Sequence, residues 1–153
     1  MPEEAVAVLA LHRAAVMRLA GRYPAAARDA WSGPITQRRI DDYHKNGQEE
    51  TRLIVRCSRT NRLAGFGAVV LDKAELRACY VHPDFARKGV GRLLMNRLEA
   101  LALAHGVTQL TLDGSVNALE FYQLCGWRVK ETATHVVGGR YEIDCVVMFK
   151  DLK

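Results

Sequence analysis

Residues 79–94, CYVHPDFARKGVGRLL, leave the chain few local folds to choose from. An apolar, strand-like run ends at His82-Pro83. A loop carrying Gly89 and Gly91 follows, and an apolar stripe at helical spacing then begins at Val90. This is a strand–loop–helix unit. Gly89 and Gly91 lack Cβ atoms, so backbone N–H groups can converge on a ligand there without steric conflict. The helix behind them adds unpaired N–H groups and the positive end of its dipole. Arg87, Lys88 and Arg92 set three charges at the rim. All of this suits a phosphate or pyrophosphate, and the plain alternative is a glycine turn with no ligand. GxxxxGK[ST] is absent, and GxGxxG would need a glycine where Leu94 stands.

The rest of the chain reads around that unit. Residues 3–21 have helical periodicity, with Val8, Leu9, His12, Val16 and Leu19 recurring. A second helical stretch, broken by Gly33 and Pro34, runs to about Gly47. From Thr51 the period changes to that of strands: TRLIVRC, LAGFGAVVL and AELRACYV, separated by the turn-like SRTNR and DK. A helix from about Gly91 to His105, with Val90, Leu94, Leu98 and Leu101 as its stripe, precedes the strand VTQLTL and the helix ALEFYQLC. Two strands joined across Gly138-Gly139 close the chain. The expected fold is one α/β domain over residues 1–153, with helices covering a mixed, mostly antiparallel sheet.

Composition narrows the class. At 153 residues, 49% hydrophobic and 25% charged, the chain has the balance of a soluble globular domain. Its apolar runs fall short of the roughly 18 residues that span a membrane, and charges interrupt its first residues as no signal peptide's are. Cys57, Cys79, Cys125 and Cys145 are widely spaced with no CxxC, which fits reduced thiols in a cytoplasmic protein. His12, His44, His82, His105 and His135 show no ligand spacing, so no metal is expected. A net charge of +5 without a Lys/Arg block argues against nucleic acid as a partner.

The stretch SVNALEFYQLCGWR, residues 115–128, supplies a second motif. Asn117 and Glu120 have capping-box spacing, which makes Asn117 a candidate N-cap. Ala118 and Tyr122 share a helix face, while Phe121 is expected to point to the core. Taken with the glycine loop, this resembles the GNAT superfamily of acetyl-CoA-dependent N-acetyltransferases. The family's loop pattern [Q/R]-x-x-G-x-[G/A] matches at Gly89 and Gly91, with Ala86 in place of Gln or Arg. The pattern N-x-x-A-x-x-[F/Y]-Y-x-x-x-G-[F/W] matches at Ala118, Phe121, Tyr122, Gly126 and Trp127, with Ser115 at its Asn position and Asn117 two residues later. Family members usually begin with a strand before the first helix, so the first strand here is expected to be short or missing.

The resemblance implies direct acetyl transfer from acetyl-CoA to an amine in a ternary complex. Backbone groups of Cys79, Tyr80 and Val81 would bind pantetheine and polarise the carbonyl. Arg87, Lys88, Gly89, Val90, Gly91 and Arg92 would hold the pyrophosphate, and Ser115 or Asn117 would reach the pantetheine arm. Tyr122 matches the proton donor to the departing thiolate. A phenol with a pKa of about 10 suits a thiolate of similar basicity. Glu75 matches a position where some members carry a catalytic Glu, and Asp113 is its rival as base. Strand alternation sets Glu75, Arg77, Cys79 and Val81 on one face. Tyr23, Trp31 and Tyr43, with His135 and Tyr141 opposite, are candidates for the acceptor pocket. The acceptor amine itself is left open, from small molecule to protein N-terminus. A sheet edge left by a missing strand would favour a homodimer. The alternative is a non-catalytic acyl-CoA-binding regulatory domain.

Overall fold

The change of period at Thr51 divides the fold as it divides the sequence. In the computed structural model, which describes residues 1–153, helices α1 (Pro2–Leu19), α2 (Ala25–Ser32) and α3 (Gln37–Asn46) come first. Pro2 opens α1, where a missing N–H costs nothing, and Glu3 and Glu4 complement its positive end. Thr36 caps α3 by accepting the Arg39 N–H at 3.4 Å. The strands β1 (Thr51–Arg56), β2 (Leu63–Val70) and β3 (Glu75–Val81) follow. Next come α4 (Val90–Ala104), β4 (Gln109–Ser115), α5 (Leu119–Leu124), β5 (Arg128–Val137) and β6 (Tyr141–Asp151).

The six strands lie in the order β1-β2-β3-β4-β6-β5, antiparallel except for β3 beside β4. β1 and β5 are the two edges of the sheet. Leu94, Met95, Leu98 and Ala102 bury the inner face of α4 against Val69, Leu76, Leu110 and Met148. Burying each of the larger side chains contributes about 1.5–3 kcal/mol. Met95 and Ala102 complete a stripe in which Leu101 is only half-buried. On the opposite face of the sheet, Ala5, Val8 and Leu11 of α1 pack with Tyr43 on Phe66 and Ala68. The expected Asp72-Lys73 hairpin turn is a 3-10 turn, Leu71–Lys73, closed by Ala74 at φ +50°.

Two irregularities shape the middle of the sheet. In the β2–β3 ladder Ala68 opposes Ala78 and Val69 opposes Leu76, which leaves Arg77 without a partner. That β-bulge resets the alternation of side chains. Leu76 and Cys79 pack with the α4 cluster, whereas Ala78 and Tyr80 pack toward α1. Glu75, one residue before Leu76, therefore turns toward the α1 face and not the Cys79 face. The expected grouping of Glu75 with Cys79 and Val81 is corrected by that one extra residue. The second irregularity is that β3 and β4 pair only at Glu75 and Thr111. Beyond that point the parallel strands diverge.

Candidate active site

The divergence exposes backbone in the middle of a sheet. The His82 N–H donates to the Ala64 carbonyl of β2 at 2.8 Å. Backbone groups alternate along a strand, so those of Tyr80 face β2 and those of Cys79 and Val81 face the gap before β4. Hydrogen-bonding groups open to such a gap call for a partner. A cavity of about 250 Å³ occupies the gap. Its walls on the β4–α5 side are Leu112, Ala118, Phe121 and Tyr122, and from α1 and α2 Val16, Leu19 and Trp31 close it. An apolar cavity edged by open strand backbone fits a pantetheine arm, with its methylenes and amides.

At the cavity mouth the glycine loop meets the start of α4. Gly89 caps α4 with φ +83°, and a Cβ there would meet nothing within 4 Å. The space around it is free for a ligand. A Cβ on Gly91 would lie 3.1 Å from Phe121 Cζ and 3.5 Å from Val81 Cγ2, so a side chain there would press on Phe121 where loop, strand and α5 meet. The N–H groups of Val90, Gly91 and Arg92 belong to the first turn and have no intrahelical acceptor. Arg87 holds φ +60°, Lys88 Nζ stands 5.8 Å over the Phe85 ring, and Arg92 is exposed, donating to the Leu124 carbonyl at 3.5 Å. Unpaired N–H groups, three cations and open space fit a diphosphate.

Tyr122 is buried and its hydroxyl, in the cavity wall, has no protein hydrogen-bond partner. Burial, with Cys79, Tyr80 and Cys125 nearby, holds its pKa well above the usual phenol value, so it keeps its proton. Cys79 is likewise pushed up to about 12 by burial, which keeps it a thiol and argues against a nucleophilic role. Phe121, expected to point to the core, packs against it and also lines the cavity beside Gly91. Ser115, not Asn117, caps the turn into α5: its Oγ accepts the Ala118 N–H at 3.3 Å. Asn117 Oδ1 accepts the Arg22 N–H at 3.3 Å, tying the end of α1 to this turn. The cap sits two residues early because a 3-10 turn, Val116–Ala118, precedes α5. Both side chains line the cavity with a donor left over.

The two candidate bases part company. Asp113 lines the cavity and accepts from, or pairs with, His135 Nε2 at 3.1 Å. Glu75 lies at the closed end of the β3–β4 divergence, outside the cavity, 3.4 Å from Arg77. Of the aromatic candidates, Trp31 lines the cavity, while Tyr23 braces it by accepting the Val116 N–H at 2.8 Å and donating to the Asp144 carbonyl. Tyr43 is buried under α1, donating to Glu4 at 2.9 Å, and Tyr141 packs at the edge of the α2 cluster.

His12, on the recurring face of the first helix but without ligand spacing in the sequence, has its ring centroid 4.5 Å from that of Tyr80 and 5.9 Å from that of Trp31. Burial, and then the Arg39 charge, lower its pKa to about 4. The folded chain thus takes up this proton only near pH 4, whereas the unfolded chain takes it up near 6.5. Stability from this group is full above pH 6.5 and is lost as pH falls toward 4. We expect urea midpoints to show a loss of about 2–3 kcal/mol from this source over that range. His12→Gln should flatten that part of the curve.

The family model of the acetyltransferase (GNAT) domain matches residues 23–142. A [ribosomal protein bS18]-alanine N-acetyltransferase of Salmonella typhimurium is 34% identical over 85 residues, 52% of this chain and 57% of that relative. The chain thus spans little more than half the length of this curated relative. A GCN5-related N-acetyltransferase of Rhodopseudomonas palustris, described as "Aminotransferase, Class-II", has a similar structure, with TM-score 0.89 and 27% identity over 99% of this chain and 92% of its own. The PaiA N-acetyltransferase of Thermoplasma acidophilum, in complex with coenzyme A, shares the fold at TM-score 0.71 and 17% identity, over 98% of this chain and 94% of that one.

Proposed function

The chain belongs to the acetyltransferase (GNAT) domain family, and from that premise we propose that it is an enzyme transferring an acetyl group from acetyl-CoA to an amine by direct attack. The observation that carries the reading is the open backbone edge of Cys79 and Val81, facing an apolar cavity with a protonated Tyr122 in its wall and an anion-binding glycine loop at its mouth. Bound there, the thioester supplies an electrophilic acyl carbon and a thiolate leaving group.

The chain's own residues would divide the work as follows. Backbone groups of Cys79 and Val81 hydrogen-bond the pantetheine amides, and the Cys79 N–H faces the acyl oxygen. A lost oxyanion donor costs about 3 kcal/mol in other acyl-transfer enzymes. Tyr80 contributes through its ring toward α1, its backbone being turned to β2. Arg87, Lys88 and Arg92, with the N–H groups around Gly89, Val90 and Gly91, hold the diphosphate. Ser115 and Asn117 donate to the arm. Tyr122 gives its proton to the sulfur, and Asp113, oriented by His135, takes one from the amine. Glu75 anchors Arg77 at the bulge instead of acting as base.

One continuous six-stranded sheet supports a single domain over residues 1–153. Four free cysteines support a cytoplasmic setting, and no helix is long and apolar enough to cross a membrane. The β1 edge is the surface on which a homodimer would form.

Calorimetric titration with acetyl-CoA tests the reading. Micromolar binding is expected, weakened about tenfold in Gly89→Ala, because a Cβ at that φ costs roughly 1–2 kcal/mol and intrudes on the ligand's space. No binding by folded wild-type protein overturns it, and binding without thiol release toward any amine makes the domain an acyl-CoA sensor. Asp113→Asn should slow transfer about tenfold or more at pH 7. The deficit should shrink at pH 9, where more of the amine is already neutral. A pH-independent deficit would remove Asp113 from the role of base.

A further inference from the structure

A second cavity, of about 270 Å³, lies beside the first on the α1 face of the sheet. Arg77, Ala78 and Tyr80 line both, and His12 stands between them against Tyr80 and Trp31. The second cavity therefore opens toward the bulge where β3 and β4 begin to part. It is the more charged of the two, adding Arg39, Asp42, Glu50 and Arg52 to the shared Arg77, where the first adds only Asp113.

Its charges do not all find partners. Glu50, only 6% exposed at its side chain, is held by Arg52 at 2.7 Å and by Arg77 at 3.3 Å. Arg77 has Glu75 at 3.4 Å and Glu49 at 3.9 Å as well. Arg39 is different. It is half-buried and lines this cavity, and its Nη1 donates to the carbonyls of Ser32 and Pro34, yet no carboxylate lies within 4 Å of it. Asp42 lines the same cavity but is exposed and does not pair with it. Arg13, whose charge acts on Arg39 and depresses its pKa after burial does, spends its own guanidinium on Asp29 at 2.7 Å. The basicity of His12 is lowered mainly by burial, and the Arg39 charge adds to that.

We infer that the acceptor is an amine that also carries a carboxylate, bound by Arg39 in this second cavity with its amino group directed past His12 and Tyr80 into the first, toward Cys79 and Asp113. A half-buried guanidinium with no counter-ion has donors to offer, and a planar carboxylate is its best bidentate partner. A purely cationic amine would meet Arg39 as a like charge and gain little from a solvated Asp42. The inference rests on the transfer reaction proposed above and specifies its acceptor class.

The test compares α- and ω-amino acids with matched amines whose carboxylate is amidated or missing, measured by thiol release. We expect kcat/KM to favour the carboxylates by 10- to 100-fold, with Arg39→Gln raising KM toward the amide values at nearly constant kcat. Arg39→Lys should recover part of the preference, and acetyl-CoA binding should be unchanged in both variants. Equal use of carboxylates and amides, a preference for diamines, or equal losses on both series in Arg39→Gln overturns the inference while the transferase reading stands. If no amine is acetylated, the transferase reading fails on its own terms. NMR titration of wild type and Arg39→Gln with the same amino acids then decides whether the Arg39 cavity binds a carboxylate. Should neither variant fold, the wild-type preference decides alone.

Discussion

Tyr122→Phe is expected to lower kcat for thiol release at least 100-fold while leaving acetyl-CoA affinity within twofold of wild type. The substitution removes one oxygen and keeps the ring that fills the cavity wall. That oxygen makes no hydrogen bond to the protein, so stability should be unchanged. Because burial raises the phenol's pKa well above its ordinary value, the proposed role of Tyr122 is that of an acid and not a base. Its ionisation should therefore leave no alkaline limb in the rate profile below pH 9. General acids contribute roughly 10²–10⁴-fold. A loss smaller than threefold would mean that solvent protonates the leaving sulfur and that Tyr122 only shapes the wall.

The largest stability effect is expected at Glu99, on the face of α4 away from the cavity. Its Oε1 accepts the Trp127 Nε1–H at 3.1 Å and its Oε2 pairs with Lys150 at 2.7 Å. Lys150 in turn donates to the Cys125 carbonyl at 2.6 Å, so one carboxylate joins α4 to the end of α5 and to β6. The pair is largely shielded, with side chains 14% and 24% exposed. Glu99→Ala strands the Lys150 charge and the indole N–H together. We expect a loss of about 3 kcal/mol, and a melting temperature lower by roughly 6–12 °C for a domain of this size. Replacing both partners, Glu99→Leu with Lys150→Met, should restore most of it, because the penalty comes from stranding one charge and not from losing the pair. A double variant no more stable than Glu99→Ala would contradict that account.

The periodic and the punctuated parts of the chain are legible in the sequence alone. Val8, Val16, Leu94 and Leu98 mark their helices by spacing, and Gly89, Gly91 and Tyr122 mark two motifs whose meeting at Val81 and Phe121 the structure describes. What sequence period could not carry was the single extra residue at Arg77. Alternation predicts a face for every later side chain, and one bulge reverses it, which turned Glu75 away from Cys79. Asn117 misled for a related reason: its spacing to Glu120 suits a cap, but a 3-10 turn moves the start of α5 and hands the cap to Ser115. His12, Arg39 and Glu50 were illegible for another reason. They are scattered along the chain as ordinary helix and loop residues, and only the packing of α1 and α3 on β3 gathers them.

The parting of β3 from β4 has a consequence for how the molecule moves. With a single ladder pair at Glu75 and Thr111, the sheet consists of two halves joined at one end. The Cys79 and Val81 amides sit mid-sheet but lack strand partners, so they should exchange with solvent deuterium as quickly as loop amides. Their neighbours Ala78 and Tyr80, bonded to β2, should exchange slowly. A molecule lying along the gap would act as the missing rung, slowing those two amides and coupling the opening of one half to that of the other.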